Sequence, residues 1–305
     1  MEADNIDGKK EPKRLPVWAC IPLFIVILFI FIGLYGTLVS GGLSLVLGVE
    51  ARHPGVVGYI FVEASMLLAV LTAAVILLRL ERRPFSDLGL SLKGHASGLW
   101  YGLLMAILLY LLGFGISVVL GEIEVTGFQF KPLDLLGSWV FFLLVALFEE
   151  ILMRGYILGR LLHTNMNKFL ALFISSALFA FMHIFNPEIA FLPMLNLLLA
   201  GMLLGASYLY TRNLCFPISL HLFWNWLQGP ILGFEVSGGR LGGTLLSLEL
   251  PEENIINGGT FGFEGSILCT ALMIIAIVIT LRSASKRSVC DPCPHSIPEP
   301  GHAGE

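Results

Sequence analysis

The chain has 305 residues, and only 40 of them are charged (18 Lys and Arg, 22 Asp and Glu), about half the share usual in a soluble domain. Apolar types make up 56%, mean hydropathy is +0.84, and the net charge of −4 offers no basic face for a phosphate backbone. These values exclude an ordinary soluble enzyme, a disordered or collagen-like chain, a disulfide scaffold and a nucleic-acid-binding protein.

Crossing about 30 Å of hydrocarbon takes about 20 residues of helix at about 1.5 Å each. Eight apolar stretches approach or exceed that length, near 17–39, 56–78, 98–120, 136–160, 168–186, 189–210, 214–233 and 264–281. The reading is an all-α membrane protein, a polytopic bundle of about eight transmembrane helices. The first follows a basic tail, 1–16, with Lys9, Lys10, Lys13 and Arg14, and has no obvious small-residue cleavage site after it, so it reads as a retained anchor. Lys and Arg in short loops stay cytoplasmic. With eight spans, fifteen Lys and Arg fall on the side of the tails and three (Arg52, Lys131 and Arg240) on the other, which predicts that both termini are cytoplasmic. A plasma membrane is the expected location.

The segments 122–134 and 233–262 fall between spans on the non-cytoplasmic side, and the second is Gly-rich, predicting irregular, mobile backbone with no assigned chemistry. Gly155-xxx-Gly159 and Gly201-xxx-Gly205 predict close helix approach in lipid. The segment 283–305, with Pro292, Pro294, Pro298 and Pro300, reads as a disordered cytoplasmic tail. Its Cys290 and Cys293, with His295 beside them, have CxxC spacing but no second pair to complete a four-ligand metal site, so a solvated tail is the preferred reading.

A charge near the bilayer centre costs at least about 2.5–3.5 kcal/mol on insertion scales, which makes each ionisable residue within a span a functional candidate. The fourth span ends Phe148-Glu149-Glu150-Ile-Leu-Met-Arg154-Gly155. Glu150 and Arg154 are i, i+4 and can pair along one helix face, whereas Glu149 points about 100° away and is left without that partner. The fifth span carries Phe179-Ala-Phe-Met-His183, and the seventh carries His221-Leu-Phe-Trp-Asn225, whose His and Asn share a face. Counting residues from the turns places Glu149, His183 and Asn225 in the membrane interior.

A carboxylate beside an imidazole can take a proton from water. A second imidazole and an amide NH2 can donate hydrogen bonds to the oxygen that becomes negative when water adds to a carbonyl. That inventory matches amide hydrolysis. Glu149, His183 and His221 could instead hold Zn2+ with water in the fourth place.

At these residues the sequence resembles the CAAX protease and bacteriocin-processing family of intramembrane proteases, which includes the type II CAAX prenyl endopeptidases. The family's three motifs stand here, in order, as Glu149-Glu150-Ile-Leu-Met-Arg154, Phe179-Ala-Phe-Met-His183 and His221-Leu-Phe-Trp-Asn225. The resemblance covers roughly 136–230, the implied catalytic core of a bundle spanning 17–282. It implies that Glu149 with His183 activates water, that His221 with Asn225 stabilises the oxyanion, and that Glu150 and Arg154 support the site. The family has been described both with and without metal; Asn225, a poor zinc ligand and a good oxyanion donor, favours the metal-free version. The implied partners are the lipid bilayer and a peptide or protein cleaved at its C terminus or leader.

Glu63, about 10 Å into the second span, either reaches the outer interface or lines the cavity. His53, His95, His163 and Glu188 read as solvated loop or span-end residues. Two other functions remain open: a proton- or ion-coupled transporter, which also uses intramembrane Glu, Arg and His, and a catalytically silent immunity or scaffold protein on the same fold. The absence of an internal repeat disfavours the transporter, and the intact motifs disfavour the silent protein.

Overall fold

The computed structural model describes residues 15–47 and 55–290. The tail basic residues Lys9 to Arg14, Arg52 with His53, and Cys293 with His295 lie outside the described residues. Within them the chain is a helical bundle: α1 (Val17–Leu47), α2 (Gly55–Leu80), α3 (Ser97–Val119), α4 (Pro132–Glu150, continuing to Leu161), α5 (Lys168–Met182), α6 (Phe191–Thr211), α7 (Cys215–Trp226, continuing to Ile231) and α8 (Ile267–Cys290). Among the described residues five helices are long and apolar enough to cross a bilayer, within α1, α2, α3, α4 and α6. The chain is an integral membrane protein of all-α, polytopic type.

Each of the eight expected spans coincides with a helix, but two are shorter than the apolar runs suggest and the last is shifted. α5 stops at Met182, ahead of the Asn186-Pro187 step, where the proline disfavours helical backbone in the residue before it. α7 loosens into a π-turn over Leu227–Ile231, which holds Pro230. α8 begins late, at Ile267, because Phe263–Gly265 forms a tight turn of its own, and it runs on to Cys290, so 283–290, expected as part of a disordered tail, is helical.

Hydrogen bonds between loops sort them into two layers. On one side, β1 (Glu124–Phe128) and β2 (Leu246–Glu249) form an antiparallel ribbon with Glu124 opposite Glu249, joining the α3–α4 and α7–α8 connections. The Asn186 amide donates to the Ser237 carbonyl at 3.0 Å and so ties in the α5–α6 turn. The 233–262 segment is therefore bonded structure at several points. On the other side, the Leu214 N–H donates to the Gly89 carbonyl at 2.8 Å, and the Arg160 guanidinium donates to Glu81 at 3.2 Å and Asp87 at 3.5 Å, joining the α2–α3, α6–α7 and α4–α5 connections.

The expected small-residue contacts are realised where α6 crosses α5. A Cβ built at Gly201 would lie 2.8 Å from Cα of Ser176, closer than atoms of a folded chain approach. Gly201→Val is expected to lower stability in detergent by about 1–3 kcal/mol, the usual range for forcing extra carbons into a packed interior, read as an earlier thermal unfolding transition.

Candidate active site

α4 presents Glu149 and Glu150 immediately before a π-helical stretch, Ile151–Leu158, all eight residues of which are buried. Such bulges leave backbone carbonyls without their α-helical partners and recur at functional sites. Here the Ser175 hydroxyl of α5 donates to the Met153 carbonyl at 3.0 Å.

Glu150 and Arg154 form the anticipated pair. Arg154 Nη1 donates to Glu150 Oε1 at 2.8 Å, with the side chains 0% and 1% exposed. Arg154 also donates through Nη2 to the Gly201 carbonyl of α6 at 3.0 Å, and its guanidinium lies 4.6 Å from the centre of the Phe179 ring in α5. On its other side Glu150 Oε1 meets His221 Nδ1 of α7 at 2.8 Å. One ion pair thus fastens α4, α5, α6 and α7 together. Neither Glu150 nor Arg154 lines the adjoining cavity.

A carboxylate oxygen only accepts, so Nδ1 of His221 carries the proton in that contact, and Nε2 is turned toward Glu149, 3.8 Å from its Oε2. That separation is not a hydrogen bond. Glu149 Oε2 is buried with no hydrogen-bond partner among the described residues. His183 caps the C-terminal end of α5, where Nδ1 donates to the Phe179 carbonyl at 2.8 Å and leaves the Nε2 lone pair free of that contact. α5 ends at Met182, so His183 stands at the helix terminus, half-buried.

Glu149, His183, His221 and Asn225 all line one cavity of about 420 Å³, large enough for a few residues of an extended peptide. Glu63 of α2 lines it too, which selects the second of its two expected placements. The donor set Glu149, His183 and His221 does not converge on a point where a metal would sit: among the described residues no three His, Cys, Asp or Glu side chains form a metal-holding group. With His183 at the helix end and His221 Nδ1 turned onto Glu150, the three side chains do not fit Zn2+ as a common ligand set.

Two further residues of the cavity wall escaped the sequence reading. Glu264, placed at the start of the eighth span, is a buried carboxylate. It accepts from Trp224 Nε1 at 2.7 Å, from the Ser237 N–H at 3.0 Å and from the Ser237 hydroxyl at 2.7 Å. Trp224 directly precedes Asn225, so Glu264 ties the His221–Asn225 helix to the 233–262 segment. The available signal was a lone carboxylate in an apolar run, the same one that marked Glu149. Ser237, by contrast, sits in a Gly-rich stretch with no local pattern to flag it. Glu264→Ala strands the Trp224 and Ser237 donors, each costing about 1–3 kcal/mol when buried unpaired. A melting temperature in detergent lower by several degrees is the expected result.

Residues 131–227 match the family model described as type II CAAX prenyl endopeptidase Rce1-like. This is the family that the three motifs resemble. The Rce1-like segment runs from the residue before α4 to the start of the π-turn after α7, and therefore contains Glu149, Glu150, Arg154, His183, His221 and Asn225. Glu63, Ser237 and Glu264 lie outside it and reach the same cavity from flanking elements. The match supports a membrane-embedded protease of CAAX type in general. No curated protein and no solved structure matches the chain.

Proposed function

We propose that this protein is an intramembrane endopeptidase, residing in a plasma membrane, that hydrolyses a peptide bond with water activated at Glu149 and His183. The observation that carries the reading is the unpartnered, buried Glu149 Oε2 in the cavity shared with His183, His221 and Asn225. A carboxylate oxygen with no hydrogen-bond partner is open to accept a hydrogen bond from water, the contact a general base needs. A water held between Glu149 and Nε2 of His183 would lose its proton to this pair and add to the scissile carbonyl, and collapse of the tetrahedral intermediate would break the C–N bond as that proton passes to the leaving amine. His221, whose Nδ1 proton is held by Glu150, would present Nε2–H to the resulting oxyanion when protonated, joined by the Asn225 amide. Glu150 and Arg154 are positioning residues: they set the His221 ring and the spacing of α4 to α7.

The proposed substrate is a C-terminal or leader segment of a peptide or protein that reaches the membrane. Purified protein incubated in detergent with a pool of internally quenched peptides is expected to hydrolyse a subset of them, and His183→Ala to slow that hydrolysis by about 10²–10⁴-fold, the usual contribution of a general base. Full activity in His183→Ala overturns the assigned mechanism. Uptake of a solute into liposomes that is driven by a proton gradient and lost in the same variant supports the transporter instead.

A further inference from the structure

The cavity adjoins one of the two layers of connecting loops, and the charges of the loops say which side of the membrane that layer faces. Loop hydrogen bonds divide the connections into two layers, as described above. One layer carries nearly all described basic residues of loops and helix ends, among them Arg79, Arg82, Arg83, Lys93, Lys168 and Arg212. The other holds only Lys131 and Arg240 among the described residues, the latter paired with Glu235 at 2.9 Å. It is otherwise acidic, with Glu122, Glu124, Asp134, Glu188, Glu249 and Glu252. Because orientation follows Lys and Arg in short loops and not net charge, the basic layer is the cytoplasmic one.

Among the described residues, those of the cavity wall that come from connections between helices are Asn186, Val236, Ser237 and Glu264, with His183 at the end of α5. All belong to the acidic layer. Toward the basic layer, Glu150, Arg154, Tyr156 and Leu158 are each 0–1% exposed and none of them lines the cavity.

We propose that the cavity takes its substrate from the non-cytoplasmic side, as a peptide segment lying outside the cytoplasm or in the outer half of the membrane, and not as a cytosolic C terminus. This rests on the endopeptidase reading above and adds the side from which the substrate arrives.

The test uses full-length protein with Cys290→Ser and Cys293→Ser, carrying either Glu253→Cys in the acidic layer or Lys93→Cys in the basic layer, both exposed positions. A membrane-impermeant maleimide applied to intact cells is expected to label Glu253→Cys, and to label Lys93→Cys only after permeabilisation. The reverse pattern overturns the proposal. Vesicles of each orientation, sorted by that labelling, are then given the quenched-peptide pool from outside. Hydrolysis is expected to be at least tenfold faster where the acidic layer faces out. Hydrolysis in detergent together with vesicle hydrolysis that is equal in both orientations, or faster with the basic layer out, sinks the assigned side and leaves the endopeptidase standing. No hydrolysis in detergent or in either vesicle type removes the endopeptidase itself, and this proposal with it.

Discussion

Glu149→Gln is expected to abolish peptide hydrolysis, with a loss of at least about 10²–10⁴-fold in kcat/KM and little change in thermal stability. The separation of the two effects follows from the surroundings of Glu149. Its Oε2 is buried without a hydrogen-bond partner, so no structural bond is lost when the carboxylate becomes an amide of the same shape. A buried unpaired charge is moreover a burden on the fold, and its removal is expected to leave the melting temperature in detergent unchanged or raised. Hydrolysis by purified Glu149→Gln within tenfold of the parent protein is the result that contradicts Glu149 as the base.

Arg154→Met is expected to do the opposite, collapsing stability before chemistry can be measured. It leaves the Glu150 carboxylate fully buried with no cation, a change that costs about 3–5 kcal/mol when one partner of a buried pair is removed. It also removes the side-chain donor to the Gly201 carbonyl and the cation from the Phe179 face. The double change Glu150→Leu with Arg154→Met removes both charges and is expected to recover most of the lost stability, since an apolar pair of similar volume is often neutral in place of a buried ion pair. Activity is not expected to return with it, because His221 Nδ1 then has no carboxylate to hold its proton and ring orientation. Thermal unfolding and peptide hydrolysis, measured on all three variants, separate the two contributions. A double variant as unstable as Arg154→Met would show that the pair matters by its fit and not by its charge.

Much of the site was legible because charge in an apolar span is costly and therefore conspicuous. Glu149, Glu150 and Arg154 stand out in α4 on composition alone, and the i, i+4 rule anticipates which carboxylate Arg154 takes and which it leaves. The same reasoning underestimated Glu264, whose run is short and lies at a span boundary. It did not anticipate that α5 ends at Met182 and leaves His183 as its C-cap, since the apolar run continues to 186. It treated 233–262 as irregular, yet β2 pairs with a strand more than a hundred residues earlier, and no local pattern announces that pairing.

What the sequence by itself determined is the class of environment and the inventory: a helical membrane protein, its spans, the asymmetry of basic residues and three polar motifs in order. Those follow from hydropathy, the 3.6-residue helical period and the cost of charge in lipid, all of which act over a few turns of one chain segment. The tertiary structure decided that Glu150 is shared between Arg154 and a His 71 residues away, that Glu149 is left open to the cavity, and that Glu264 fastens the outer segment onto the His221–Asn225 helix. Such pairings depend on which helices pack side by side, and packing is set by shape and small residues spread over the whole bundle, as where Gly201 lets α6 approach α5 and presents its carbonyl to Arg154.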